Sequence, residues 1–391
     1  MDSNPNQSQA HTEPNTFLEN YWDIFGGILL SLVAYYFHHI GNGTISTVFA
    51  ALAIISLSIT VSEVADILAE RLDEPYGSFV LTFTAVAVEI ILLFNIMLQV
   101  SSSPEAMKTV QGGIISAVIV DMNVLLGLAV FIGGLAFSEQ QHNEDTSSSY
   151  TTILYVSALA LLVPSILGHS GHDTQTVEKA SYMIGFLLFL FYITILIFQT
   201  KTHTHFFKAT AKSRIFRYKR KLMEHENGHH EELHENYIFD KLSTPVNFIV
   251  IFALIFLIGI LAEIFAHDGM HLFKELGISA GLAGLTIAII SVAPEIFTAV
   301  KAAKNDQIQR VVNIAMGAST VSILLTVPAL LVLGYIADVR LQLNFNPLEI
   351  GALIFTIILA WKTTDDGETN YFEGISHLML FLCYAVIAAL Y

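Results

Sequence analysis

The sequence predicts an all-α polytopic membrane protein of about eleven spanning helices, arranged as one extra helix and two inverted repeats of five. Three observations carry this. Of the 391 residues 54% are hydrophobic and only 13% are charged, and the mean hydropathy is +0.61, far too apolar for an ordinary soluble domain. Apolar runs of about 20 residues, the length that crosses a hydrocarbon core of about 30 Å as helix, recur along the whole chain. Lastly, one acid-containing apolar motif appears twice, about two hundred residues apart.

The runs fall at 21–38, 44–68, 76–100, 110–138, 151–168, 178–200, 245–266, 277–301, 309–337, 347–362 and 371–390. Turn or polar signals separate them: Gly41-Asn-Gly43, Asp73-Glu-Pro75, Ser101-Ser-Ser-Pro104, the stretch from Glu139 to Ser149, and Asp365-Asp-Gly367. The 18 basic residues test the count. With the N-terminus inside, Arg71, the nine between Lys201 and Lys241, Lys301, Lys304, Arg310 and Lys362 face the cytoplasm. Only Lys108, Lys179, Lys274 and Arg340 fall outside. That asymmetry is what the positive-inside rule expects, and it places the C-terminus outside. The polar N-terminus lacks the basic region of a secretory leader, so the first run is expected to be a retained span.

These spans organise the chain into a polar tail (1–20), an extra first helix (21–43), a first five-helix repeat (44–200), a cytoplasmic His-rich and charged loop (201–244) and a second five-helix repeat (245–391). An odd number of spans per repeat forces the second copy to insert upside down, the plan of many secondary transporters. The net charge of −16 argues against a nucleic-acid partner. One cysteine, Cys383, excludes intrachain disulfides and multi-thiolate metal sites.

The chemistry centres on Glu89, in Ala85-Val-Ala-Val-Glu-Ile-Ile91, and on its counterpart Glu295, in Val292-Ala-Pro-Glu-Ile-Phe297. A carboxylate at membrane depth costs about 2.5–3.5 kcal/mol on insertion scales and usually marks an ion or proton path. Each occupies the second span of its repeat. Each is preceded by a span bearing an acid near its C-terminal end, Glu63 or Glu263, and these are expected to line entrances on opposite faces. Two bare carboxylates in low dielectric must share a cation or be protonated. Glu89 and Glu295 are therefore the expected metal-binding acids. A hard dication such as Ca²⁺ takes about six to eight oxygens. Further oxygens are available one helix on: Asp121 and Asn123 in the first repeat, and Asn313, Ser319, Thr320 and Ser322 in the second. Small residues there (Gly112, Gly113, Ala315, Gly317, Ala318) permit close helix approach. A hydroxyl back-bonded to its own helix is the plainer reading for the Ser and Thr residues taken singly, and an interfacial acid the plainer one for Glu63 and Glu263.

His230-Glu-Glu-Leu-His234 fits the H-E-x-x-H pattern of zinc proteases. It lies in a highly polar loop, where such patterns arise by chance, so an intramembrane metalloprotease is a minor alternative. His203, His205, His225, His229, His230 and His234 give that loop a capacity for regulation, and the basic stretch Lys212 to Lys221 suits anionic headgroups.

Taken together these residues resemble the cation/proton exchangers of the calcium/cation antiporter superfamily, in particular the bacterial ChaA (calcium/proton) type. Ala293-Pro-Glu295, Lys304-Asn-Asp-Gln-Ile-Gln-Arg310 and Asn313-Ile-Ala-Met-Gly317 look like that type's second signature repeat. Ser62-Glu-Val-Ala-Asp-Ile-Leu-Ala-Glu-Arg-Leu-Asp-Glu-Pro-Tyr-Gly77, running into Glu89, looks like its first. The resemblance spans most of 44–340. It implies a secondary antiporter, not an enzyme, with Glu89 and Glu295 as the paired central acids and Asn123 and Ser319 to Ser322 in the coordinating segments. It also implies no cofactor beyond transported Ca²⁺ and protons, and residence in a bacterial inner membrane. Where the wider calcium/proton exchangers carry Gly-Asn before each acid, this chain has Val86-Ala-Val88 and Val292-Ala-Pro294. Asp121 is then expected to supply an oxygen those asparagines would have given. A monovalent Na⁺ or K⁺/proton exchanger is the alternative within the class, and a channel the alternative outside it.

Overall fold

The computed structural model describes residues 17–72, 76–208 and 238–390. Helices account for nearly all of it. In chain order they are α1 (Phe17–His39), α2 (Gly43–Arg71), α3 (Tyr76–Leu98), α4 (Glu105–Val120), α5 (Gly127–Phe137), α6 (Glu144–His169), α7 (Thr174–Ile197), the short α8 (Ile238–Lys241), α9 (Thr244–Glu275), α10 (Ala280–Lys304), α11 (Ile308–Val321), α12 (Val327–Ile336), α13 (Pro347–Thr364) and α14 (Tyr371–Leu390). Two short strands, β1 (Glu139–Gln141) and β2 (Glu368–Asn370), pair antiparallel. All eleven expected spans are present, α4–α5 and α11–α12 each forming one continuous rod. Ten of the rods are long and apolar enough to cross a membrane. The eleventh, α1, has 23 residues and shows Trp22, Phe25, Leu29, Leu32 and Tyr36 outward at helical spacing. A large apolar surface facing outward is what lipid requires and what water forbids.

Hydrogen bonds sort the helix ends into two faces. Arg71 at the end of α2 donates to the carbonyls of Phe239, Asp240 and Leu242, just before α9, and Tyr21 near the start of α1 accepts from the Ile238 amide. Arg310 at the start of α11 pairs with Asp66 of α2 at 2.8 Å. The β1–β2 pair ties the end of α5 to the α13–α14 turn. All these lie on one face, the face of the 201–244 connection, called here the long-loop face. So α2 ends where α9 begins. The second block of helices therefore enters from the face opposite to the first, as expected for inverted repeats.

Local sequence explains the terminations. Asn42, Asn143, Ser279 and Asn346 each cap a helix by accepting a backbone amide. Asn346 and Glu349 complete a reciprocal capping box. The apolar part of the core includes Ile54, Leu57, Leu92, Leu93, Ile96, Ile114, Ile115 and Phe265. Extra helix α1 is held on α2 by a buried polar contact: Ser56 donates to the Asp23 carbonyl at 2.6 Å and Thr60 to its carboxylate at 2.5 Å.

One close approach sets the position of α10. A Cβ placed on Gly284 would sit 2.5 Å from the Gly113 amide nitrogen and 2.8 Å from the Thr109 carbonyl. Only glycine on α10 lets its backbone lie against α4 this closely. The helix that carries Glu295 is thereby seated on the rod that carries Asp121.

Candidate cation site

Both rods that follow the glutamate helices are broken at mid-membrane by a π-helical stretch, Asp121–Leu126 in the first and Ser322–Thr326 in the second. Such bulges commonly mark functional positions, since the added residue turns side chains out of the α register. In the second rod Pro328 lies two residues past the bulge, and its missing amide is a local reason for the break. In α10, Pro294 removes the amide donor that the Ile290 carbonyl would otherwise use, one turn before Glu295.

These breaks bring polar groups together inside the bundle. Glu89 on α3 is buried, and its Oε2 accepts from Ser322 Oγ at 2.8 Å and from Thr326 Oγ1 at 3.1 Å. Asp121 is wholly buried, and its Oδ2 accepts from Ser319 Oγ at 3.2 Å. Glu89 and Glu295 both lie within electrostatic range of Asp121, and Glu89 within range of Glu295. One oxygen of each acid (Glu89 Oε1, Asp121 Oδ1 and Glu295 Oε2) is buried without a hydrogen-bond partner. Buried polar atoms are nearly always paired, because leaving one bare costs about 1–3 kcal/mol and more when charged. Three bare carboxylate oxygens in one region are what a shuttled proton or cation would occupy.

The remaining expected residues take other positions. Asn123 is fully buried but turned away from the acids: its Nδ2 donates to Thr356 Oγ1 at 2.7 Å and its Oδ1 faces His377 Nδ1 at 2.9 Å. His377 Nε2 lies 3.1 Å from Thr363 Oγ1. Because Oδ1 only accepts, Nδ1 carries the proton and Nε2 accepts from the threonine. Asn123 thus locks the bulge to α13 and α14 rather than joining the carboxylates. Asn313 is also elsewhere. It donates to the Phe207 carbonyl at 2.9 Å and accepts from Gln309, holding α11 to the turn that follows α7. Thr320 is buried with no partner for its hydroxyl.

Glu63 and Glu263 lie toward opposite faces, as expected from their helices, but Glu263 does not point inward. It is exposed on the outer stripe of α9 with Ile249, Phe252, Phe256 and Ile260, because its helical spacing from those residues puts it on their side. Glu63 is half-buried on α2. His203 stacks on Phe198 at 4.3 Å. His225, His229 and the His230–His234 motif lie outside the described residues. Sequence reasoning missed Thr326, which shares Glu89 with Ser322 and stands one turn beyond it.

A membrane-embedded bundle of inverted blocks, with facing acids beside two broken rods, defines a membrane exchanger fold. The chain belongs to the sodium/calcium exchanger protein family, whose model matches residues 42–201 and 246–390. Among named relatives, the sodium-potassium/proton antiporter ChaA of Escherichia coli (strain K12) is 26% identical over 86% of each chain. The Ca(2+)/H(+) antiporter of Aphanothece halophytica is 25% identical over 90% of this chain and 92% of its own. Of solved structures, native YfkE superposes with a TM-score of 0.75 at 19% identity, covering 95% of this chain and all of that one.

Proposed function

We propose that this protein is a secondary active antiporter that exchanges Ca²⁺ for protons by alternating access, with Glu89 and Glu295 as the shared cation and proton acids. The observation that carries this reading is the set of bare, buried oxygens on Glu89, Asp121 and Glu295. At an effective dielectric of 20, two carboxylates about 5 Å apart repel by about 3 kcal/mol. The ionised site therefore demands positive charge. Either a dication or protons meet the demand, and each excludes the other, which couples the two fluxes.

On this reading Asp121, with Ser319, Ser322 and Thr326, completes the site, whereas Asn123 acts as a brace for the first bulge. Asn313 acts at the long-loop face. The five-helix blocks 44–200 and 245–391 are the moving units, and the long-loop face is the cytoplasmic one, with the N-terminus inside a plasma membrane. Among the described residues, Arg71, Lys241, Lys301, Lys304 and Arg310 on that face support this orientation. The name of the Aphanothece relative supports Ca²⁺ as cargo. That of the E. coli relative supports a second reading, exchange of Na⁺ or K⁺ for protons by the same site.

Reconstitution in liposomes carrying a pH-sensitive dye tests both. Ca²⁺ added to one side should drive proton movement that Na⁺ and K⁺ do not reproduce. Glu89→Gln and Glu295→Gln should each abolish it, and full exchange by either variant would sink the site assignment.

A further inference from the structure

Far from the paired acids, the structure assembles a second group of ligating side chains. His38, in the last turn of α1, and His267 and Asp268, in the last third of α9, meet at the ends of their helices away from the long-loop face. His38 Nδ1 lies 2.8 Å from Asp268 Oδ2, and His267 Nδ1 lies 2.8 Å from Asp268 Oδ1. The three ligand atoms are all within 4.8 Å of one another. The Asp268 side chain is only 9% exposed, while His38 and His267 reach 30% and 56%. The carboxylate is therefore fixed and the imidazoles are reachable from solution. A helix of 32 residues is about 48 Å long, well beyond a hydrocarbon core of about 30 Å. The end of α9 thus stands at the membrane surface, on the face opposite the long loop.

We propose that His38, His267 and Asp268 form a binding site for a borderline-soft dication, with Zn²⁺ as the type case, separate from the transport site. Two imidazole nitrogens and one carboxylate are the ligand types of three-ligand zinc sites. Ca²⁺ and Mg²⁺ prefer all-oxygen shells and are disfavoured here. The protonation balance works without loss of charge. With each Nδ1–H now donating to Asp268, metal binding moves each proton to Nε2 and frees the Nδ1 lone pair. A tetrahedral site with bonds of about 2.0–2.1 Å spaces its ligand atoms about 3.3 Å apart, so the two 2.8 Å contacts open by about 0.5 Å while any wider pair, all within 4.8 Å now, closes around the ion. His271, one helical turn beyond His267 with ring centroids 5.5 Å apart, stands where a fourth ligand could come from. The site would link α1, which belongs to neither repeat, to α9, the first helix of the second. Its natural effect would be to tether those two helices.

The test uses the purified full-length protein in detergent, titrated calorimetrically with Zn²⁺ in excess Ca²⁺ so that the transport acids are occupied. Wild type should show one more tight site than His267→Gln, or a loss of at least tenfold in its affinity. His267 is exposed, so that variant has no reason to misfold; His38→Gln should behave alike. Zn²⁺ bound by the histidines between residues 203 and 234 is common to all three proteins and cancels in the comparison. Zn²⁺ should also raise the melting temperature of wild type more than that of His267→Gln, while Ca²⁺-driven proton exchange in zinc-free buffer stays the same in both. Equal stoichiometry and affinity in wild type and the two variants would overturn the proposal and leave the cluster a hydrogen-bonded anchor.

Discussion

Ser322 and Thr326 both donate to one oxygen of Glu89, at 2.8 and 3.1 Å, and that geometry sets a measurable competition between proton and cation. A hydrogen bond to an ionised carboxylate is worth about 1.5–3 kcal/mol, against about 0.5–1.5 kcal/mol for the neutral acid. Each hydroxyl therefore favours the ionised glutamate by about 1–1.5 kcal/mol, which is about a tenfold bias against the proton. Ser322→Ala or Thr326→Val removes one donor while keeping volume nearly constant. At neutral pH the Ca²⁺ concentration for half-maximal exchange should rise about tenfold in each, and further in the double variant. The assay is the dye-loaded liposome, repeated between pH 7 and pH 9. If the hydroxyls act only by biasing Glu89, the difference from wild type fades at high pH, where protons no longer compete. If they also ligate the cation, it persists. Wild-type half-saturation in both single variants at neutral pH would refute the reasoning.

Gly284→Ala should impair exchange strongly, because its methyl meets backbone atoms of α4 at 2.5 and 2.8 Å and must push α10 away from Asp121; Gly351→Ala, with open space around it, should be silent in the same assay. Asp121→Asn is expected to lower Ca²⁺ affinity more than tenfold while leaving the folded yield unchanged, since the amide keeps its acceptor for Ser319; unchanged affinity would remove Asp121 from the site. Outside the spans, burial drives His142 from the ordinary 6.5 down to about 4. Its stabilising contribution is then full above pH 6.5 and lost as the pH falls toward 4, about 3 kcal/mol in all. Melting curves at stepped pH should show His142→Gln flattening the fall seen in wild type between pH 6.5 and 5.

The spans and the paired glutamates were legible because both rest on large single-residue costs. Twenty apolar residues with a lone acid leave few alternatives in any environment. The rest of the site depended on the rod breaks. In a regular helix Asp121 and Asn123 are 200° apart, and the bulge over Asp121–Leu126 alters the register of everything after it. No helical spacing rule reports that Asn123 turns toward Thr356 and His377, residues more than two hundred positions away. Thr326 was hidden for the same reason, although its position four residues after Ser322 is a spacing that shares a face. Glu263 could have been placed correctly, since Phe252, Phe256, Ile260 and the acid mark one stripe at three- and four-residue steps. The meeting of His38 with Asp268, 230 residues apart, is purely tertiary.

The oxygen inventory bears on which cation the proposed site accepts. Three carboxylates supply three uncommitted oxygens. Ser319, Ser322 and Thr326 each donate a proton to an acid while keeping lone pairs of their own. A hydroxyl used in this way can hold its carboxylate and ligate a cation at once. Counting the carbonyl oxygen of an acid that stays protonated, the total of six meets the lower end of the six to eight oxygens that Ca²⁺ takes, without the asparagines whose place Val88 and Pro294 occupy. Charge points the same way. Three ionised acids leave a net −2 around a monovalent cation and −1 around a dication, so in a low-dielectric pocket Na⁺ must be joined by two protons where Ca²⁺ needs one. The monovalent form therefore keeps one more acid protonated, and so one charged oxygen fewer, than the dication form. Asp121 changes the oxygen count rather than this difference of one proton: without it Glu89 and Glu295 are neutralised by one dication, or by one monovalent cation and one proton, and the site offers one bare carboxylate oxygen fewer.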